Sequence, residues 1–501
     1  MYYRNRKTKN MNTYEIRYKE VFLYTLITVG FIAGVINPSI SIGLGYLALC
    51  FCIGCIVSGR EELAFSIIIV CTTLSIEVGY FATGIRDGAI VYSFLLLPGL
   101  NTFGIFLVNL LLFVKLKKRV GDTDIENACG KSVTYLHKAL GYAILVGYIS
   151  LIVTYAFNDN NVMGAHWYHN MIMAESFRML TLFLVAYNTI FVLTVFPEAH
   201  IKLSNTMLAM LVSMVPVGII GLALGFKGYR AGMDNLSFLP LFAFFSFTLF
   251  AFPLYNRYRK CKKQLWLFAL LLLAFLIYRA SPLGGKWFLS AVVVQFAILY
   301  RTVSKDKFYI VLFVFIAFVT IFQFVDIDSI ITSLFAGNEY MTLKLHEAID
   351  LFSYTNSDSI ANSDDSSSAF RIEELLNIAL EYVNKPYYSV FGKGIIGTLT
   401  QHAGWLNWDG AGVFSEPQRL AGTYVRVHET VNIIFLKYGI LGLVGLFLII
   451  KSVLKSMKRS PWATVGLLWI FFYVGVYQSM LFGLVALILS LKESYIYSSN
   501  E

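Results

Sequence analysis

In this chain of 501 residues the side chains best suited to chemistry are a scattered set of cations and one histidine. Arg230 lies in GFKGYRAGMDN and Arg279 and Lys286 in YRASPLGGKW; Arg371 lies in FRIEELLNIALEYVNK, and Arg426 with His428 in RVHETVNIIFLKYGILGLVGLF. Each sits at a bend or at the edge of an apolar run. Ionisable groups beside lipid are costly and tend to be functional, although a single one is more often a charge snorkelling to the interface. Arg230, Arg279, Lys286 and Arg371 together, on one face, make an anion site competitive with that reading. Arg suits phosphate through bidentate contacts, and Lys serves as a point charge.

Arg371 and His428 have the most specific local settings. The run 370–385 has helical spacing, with Phe370, Ile372, Leu375, Leu376, Ala379, Leu380 and Val383 on one side. Ser366 to Ser368 offer caps and Pro386 marks the stop. Arg371 then falls in the first turn, where the helix dipole disfavours a cation. An anionic ligand would turn that misfit into a binding site, because free N–H groups and the guanidinium would converge on it. His428 stands where polar sequence meets an apolar run. It reads as an interface anchor or as a general base; Arg426 disfavours its protonation, and Glu429 favours it or orients the ring.

The elements that must hold these residues are membrane spans. The chain is 57% hydrophobic and only 14% charged, where a soluble domain carries nearer a quarter charged residues. A bilayer core needs about 20 mainly apolar residues per helix, and that rule gives about 14 candidate spans, uncertain by two. They fall near 20–36, 39–57, 63–81, 89–114, 139–157, 175–196, 205–225, 236–255, 265–278, 287–300, 308–325, 431–450, 462–476 and 478–491. The expected fold is therefore all-α and polytopic, with 1–325 as N-terminal spans, 326–430 as one large loop and 431–501 as C-terminal spans. Alternating sides from the basic N-terminus puts about 27 Lys and Arg on one face and about 6 in the short loops opposite, a strong positive-inside signal. Both termini are expected in the cytoplasm, with the first span kept as a signal anchor. The net charge of +10 follows from this bias and does not point to nucleic acid.

Hydropathy collapses between 326 and 430, where acidic residues outnumber basic ones by 14 to 6. Long loops of this kind are usually functional. Few cations in an acidic loop are better explained as a directed cluster than as a solvated basic face. Cys52 and Cys55 mimic a redox motif, but in an apolar helix packing is the better reading. Asp326 with Asp328 would carry the chemistry if a metal did the work; no metal or other cofactor is expected.

RIEEL (371–375) resembles the Arg-x3-Leu motif of the O-antigen ligase and Wzy-type polysaccharide polymerase superfamily. HETVNIIFLKYGILG (428–442) resembles that family's second motif: a His, a polar residue, nine residues, then Gly-x-x-Gly, here His428, Glu429, Gly439 and Gly442. Glu429 departs from the usual Asn, Ser or Gln. RAGMDNLSFLPLFAFF (230–245) is similar to the family's Arg-bearing outward turn. YRASPLGGKWFLSAV (278–292) is similar to its Ser-Arg-Gly segment, with Lys286 aligned to that Arg and Arg279 its rival.

The resemblance spans roughly residues 200–490 and implies a metal-independent glycosyltransferase of the GT-C type in the bacterial cytoplasmic membrane. The donor would be a glycan on undecaprenyl diphosphate, with His428 and Arg371 catalytic and Arg230, Arg279, Lys286 and Arg426 binding the diphosphate. Partners would be lipid-linked repeat units, membrane lipids, a chain-length regulator and a flippase. A polymerase extends the chain onto the next lipid-linked unit, whereas a ligase transfers it to a finished lipid core. A flippase is the rival outside enzymes. It would more naturally show two similar halves and mid-span ionisable residues, while here the polar weight lies in one outward loop.

Overall fold

The computed structural model describes chiefly residues 38–73, 76–78, 90–92, 102–120, 130–156, 165–196, 367–402, 420, 422–424, 427, 429–456 and 483–492, with isolated positions elsewhere. The expected spans near 20–36, 205–225, 236–255, 265–278, 287–300, 308–325 and 462–476 lie wholly or largely outside them. The described chain is mostly helical. In order it forms α1 (Pro38–Val57), α2 (Glu61–Thr73), β1 (Ile76–Val78), β2 (Ile90–Tyr92), α3 (Thr102–Val120), α4 (Lys131–Ala156) and α5 (Ala165–Val195). After a long interval come α6 (Ser367–Asn384), α7 (Tyr387–Phe391), β3 (Leu399–Thr400), β4 (Thr423–Tyr424) and α8 (Thr430–Ser456). A short apolar helix, α9, covers Gly483–Lys492.

Among the described residues two stretches, Lys131–Val153 and Thr430–Ser456, are long and apolar enough to cross a membrane. On α4 the large side chains Tyr142, Leu145, Ile149 and Ile152 are exposed, an uncovered apolar stripe at helical spacing. Ile440, Val444, Phe447 and Leu454 do the same on α8. A stripe of that kind is what a helix presents to lipid.

Two expectations are corrected. The run 63–81 is not one span. α2 has 13 residues, which at 1.5 Å per residue is about 20 Å, short of the roughly 30 Å hydrocarbon core. The chain then forms β1, paired antiparallel with β2 in the register Ile76↔Tyr92, Glu77↔Val91, Val78↔Ile90. The run 89–114 is likewise divided: α3 starts only at Thr102, past Pro98 and Gly99, residue types that interrupt a helix. The all-α reading therefore needs two small strand pairs added, the second joining Leu399 to Tyr424 and Thr400 to Thr423.

The N-terminal helices pack through aromatic and amide contacts. Phe103 and Phe106 of α3 meet Phe177 of α5, and Phe113 meets Tyr187 and Phe191. Between them the Asn188 amide donates to the Asn109 carbonyl at 3.0 Å and to its side-chain oxygen at 3.1 Å. A buried amide between apolar helices must find such a partner, and doing so fixes the register. Cys52 and Cys55 are free thiols buried on α1.

One end of this group gathers charges from separate turns. Arg119 meets Glu61 at 3.0 Å, Lys202 meets Glu62 at 3.1 Å, and Lys492 donates to the Leu193 carbonyl at 3.0 Å. Glu61 and Glu62, at the start of α2, thus collect Arg119 from the end of α3 and Lys202 from beyond α5.

Candidate functional site

α6 is the helix expected to carry the first motif, and it buries the face opposite to the one its apolar spacing indicates. Glu373, Glu374, Asn377 and Glu381 are buried together with Phe370, Ile378 and Tyr382. Ile372, Leu375, Leu380 and Val383 are exposed instead. The reason is a set of partners that arrive from elsewhere in the chain. Gln401 donates to Glu373 at 3.0 Å, Asn432 to Glu374 at 3.1 Å, and the His402 backbone N–H to the Asn377 side-chain oxygen at 2.6 Å. The Lys393 ammonium donates to Glu381 and, at 2.6 Å, to the Thr398 carbonyl, with the Tyr388 ring beside it. Buried carboxylates are tolerable only when satisfied in this way.

The two motif segments meet. Arg371 and Glu429 form an ion pair, Nε to Oε1, at 2.8 Å, with 21% and 31% of the side chains exposed. Beside it the Asn432 amide donates to the Arg371 carbonyl at 2.9 Å. α6 begins at Ser367, so Arg371 lies one turn inside it rather than in the first turn. The free N–H groups of a helix start are its first four, so they precede Arg371 instead of converging with it. Glu429, expected to act on His428, has Oε1 against Arg371.

Beneath this contact α8 is broken. Gly439 has φ 61° and ψ −154°, a region open essentially to glycine alone. The break strands the carbonyls of the preceding turn, and the loop satisfies them. The Tyr382 hydroxyl donates to the Phe435 and Leu436 carbonyls at 2.8 Å each. The Lys393 N–H donates to the Leu436 carbonyl at 2.8 Å and the Gly394 N–H to that of Lys437 at 3.0 Å. Burial first, then Glu381 and Tyr388, pushes the Tyr382 phenol above its ordinary pKa, which keeps it a donor.

Glycines permit the approach. A Cβ on Gly392 would stand 2.3 Å from the Tyr438 nitrogen, and one on Gly439 2.6 Å from the Val390 carbonyl. The turn after Gly392 also reaches α4: the Ile395 N–H donates to the Gly147 carbonyl at 3.3 Å. A Cβ on Gly394 would stand 2.6 Å from the Leu151 nitrogen. The loop is thus seated on both spanning helices, over a core of Phe370, Ile378, Tyr382, Tyr424, Val427 and Leu436.

Of the expected site residues, Arg371 is placed. His428, Arg426, Arg230, Arg279 and Lys286 lie outside the described residues, as do Asp326 and Asp328. The chain neighbours of His428 are placed: Val427 is fully buried and Glu429 is paired with Arg371. Sequence reasoning did not single out Tyr382, Lys393, Glu381 or Asn432. The one available signal was GKG (392–394), a lysine between two glycines in an otherwise apolar stretch. No protein-family model matches the chain, and no curated protein shows significant similarity to it.

Proposed function

We propose that the chain is a polysaccharide polymerase of the bacterial cytoplasmic membrane, a GT-C-type glycosyltransferase with about 14 spans and both termini inside. It takes a glycan from undecaprenyl diphosphate and transfers it to the next lipid-linked repeat unit on the outer face. What carries the reading is the ion pair between Arg371 and Glu429: two motifs far apart in sequence, one within the loop and one at its end, come together at the start of an apolar helix long enough to span.

The chemistry fits those residue types. His428 takes the proton of the acceptor hydroxyl, the oxygen attacks the anomeric carbon, and the bond to the diphosphate breaks. A positioned base contributes about 10²- to 10⁴-fold. Arg371, with Arg426, Arg230, Arg279 and Lys286, would take up the charge developing on the diphosphate, where fixed cations in a dry site act strongly. Glu429 sits beside the Nε of Arg371 as its counter-charge. Arg carries five donors, which lets one side chain serve a carboxylate and a phosphate together. The reaction uses no metal or other cofactor. A flippase supplying repeat units and a chain-length regulator are the expected partners.

Deleting the gene and resolving the surface glycan on a gel tests this directly. Single repeats on the lipid core are the expected result. Long chains left on undecaprenyl diphosphate would make the protein a ligase, and an unchanged ladder would remove it from glycan assembly.

A further inference from the structure

The outer face of α6 and α7 is apolar, and among their described residues no charged side chain is fully exposed. Ile372, Leu375 and Val383 are exposed on α6, Val383 to 77%, and Tyr387, Val390 and Phe391 continue the face on α7. The three glutamates of α6 point the other way and are buried. A helix with water outside is built in the opposite sense, with carboxylates solvated and the apolar stripe inward. Rotating α6 to that arrangement would separate Glu381 from Lys393, Glu374 from Asn432 and Glu373 from Gln401, so the orientation is held by specific polar contacts.

We propose that this face lies in membrane lipid, as an interfacial amphipathic segment whose occupant is the acyl-chain boundary of the adjacent leaflet. Continuity with the α8 span argues for that occupant. α7 abuts α8 at Gly439, where a Cβ would meet the Val390 carbonyl at 2.6 Å. The exposed Val390 and Phe391 therefore begin where the exposed Ile440, Leu441 and Val444 of the span end. On the other side the buried 394–395 turn rests on Gly147 and Leu151 of α4, which ties the loop to the second apolar helix. The exposed apolar residues of the α8 span are thus followed directly by those of α7. Helices of this type bury their apolar face about 5–10 Å into the headgroup and acyl boundary. Patches of such extent on a water-facing surface mark a contact with something else. The inference holds whatever reaction the site performs. Where the polymerase reading is also right, it sets Arg371 and Glu429 at the depth of a lipid-linked diphosphate.

The test uses the full chain in proteoliposomes of phosphatidylethanolamine and phosphatidylglycerol. The photoreactive residue p-benzoylphenylalanine is placed in turn at Ile372, Val383 and Phe391, with Leu145 as a span control and His402 as a water-side control. Irradiation should give phospholipid adducts at the three test positions, as at Leu145, and none at His402. Adducts to another segment of this chain or to a second copy would overturn the proposal, as would no lipid adduct where Leu145 gives one. A second measurement avoids the bulky side chain. Val383→Cys should react with an impermeant maleimide severalfold more slowly than His402→Cys, each read in excess of the unsubstituted chain. Equal rates would place the face in water and contradict the proposal.

Discussion

The Arg371 guanidinium lies 2.8 Å from the Glu429 carboxylate, and the Asn432 amide reaches the Arg371 carbonyl just beneath. This contact ties the start of the loop helix to the start of the spanning helix. The carboxylate meets only the Nε of Arg371, so the role of the guanidinium is separable from that of its partner. Arg371→Ala should abolish chain formation while the protein still accumulates in the membrane. Arg371→Lys should restore only part, because bidentate geometry is lost. Glu429→Gln should be milder, since an amide can still meet the guanidinium. Glycan ladders and immunoblots of the same membranes check all three. A full ladder with Arg371→Ala would reduce RIEEL to a structural helix segment.

A glycine comparison tests the break in α8. A Cβ on Gly439 would stand 2.6 Å from three backbone atoms of Ser389 and Val390, and its φ is positive. One on Gly445 would meet nothing within 4 Å. Gly439→Ala should therefore lower the apparent melting temperature in detergent, with a backbone cost of about 1–3 kcal/mol before any clash. Gly445→Ala should melt like the parent.

What was legible in the sequence divides along the range of the interactions involved. α4, α6 and α8 are set by local apolar spacing, caps and Pro386, and they lie close to their expected positions. The buried face of α6 is set by Lys393, Gln401 and Asn432, which no period along 370–385 contains, so apolar spacing pointed to the wrong side. Gly439 read as a motif position and not as a break, because glycine is common within membrane helices. Arg371 and His428 stand out by residue type and setting alone; the pairing of Arg371 with Glu429 needs the fold.

The Lys393–Glu381 pair is almost wholly removed from solvent, at 1% and 6% exposure. Removing one partner leaves a buried charge, so Lys393→Met should destabilise the protein by about 3–5 kcal/mol. Adding Glu381→Leu should recover most of that loss. Melting curves of the single and double variants decide it. A double variant that loses as much as Lys393→Met and Glu381→Leu together would mean that the pair is not coupled.

Tyr382 gives a dependence on pH. Its folded pKa is raised, so the neutral phenol is favoured in the fold. That contribution is complete below the unfolded value of about 10 and is lost as pH rises through the folded value. The wild type should thus lose stability above about pH 10 more steeply than Tyr382→Phe. At neutral pH Tyr382→Phe should cost about 1–3 kcal/mol, because the carbonyls of Phe435 and Leu436 lose their donor.

The most direct measurement of the central claim pairs turnover with donor binding on His428→Ala. The variant should lose polymerisation yet bind the undecaprenyl-diphosphate-linked donor as tightly as wild type, since the cations are intact. His402→Ala is the matched control: His402 is exposed and its contact with Asn377 is made by the backbone N–H, so it should turn over normally. Normal turnover by His428→Ala, or failure of His402→Ala alone, would contradict the assignment of His428 as the base.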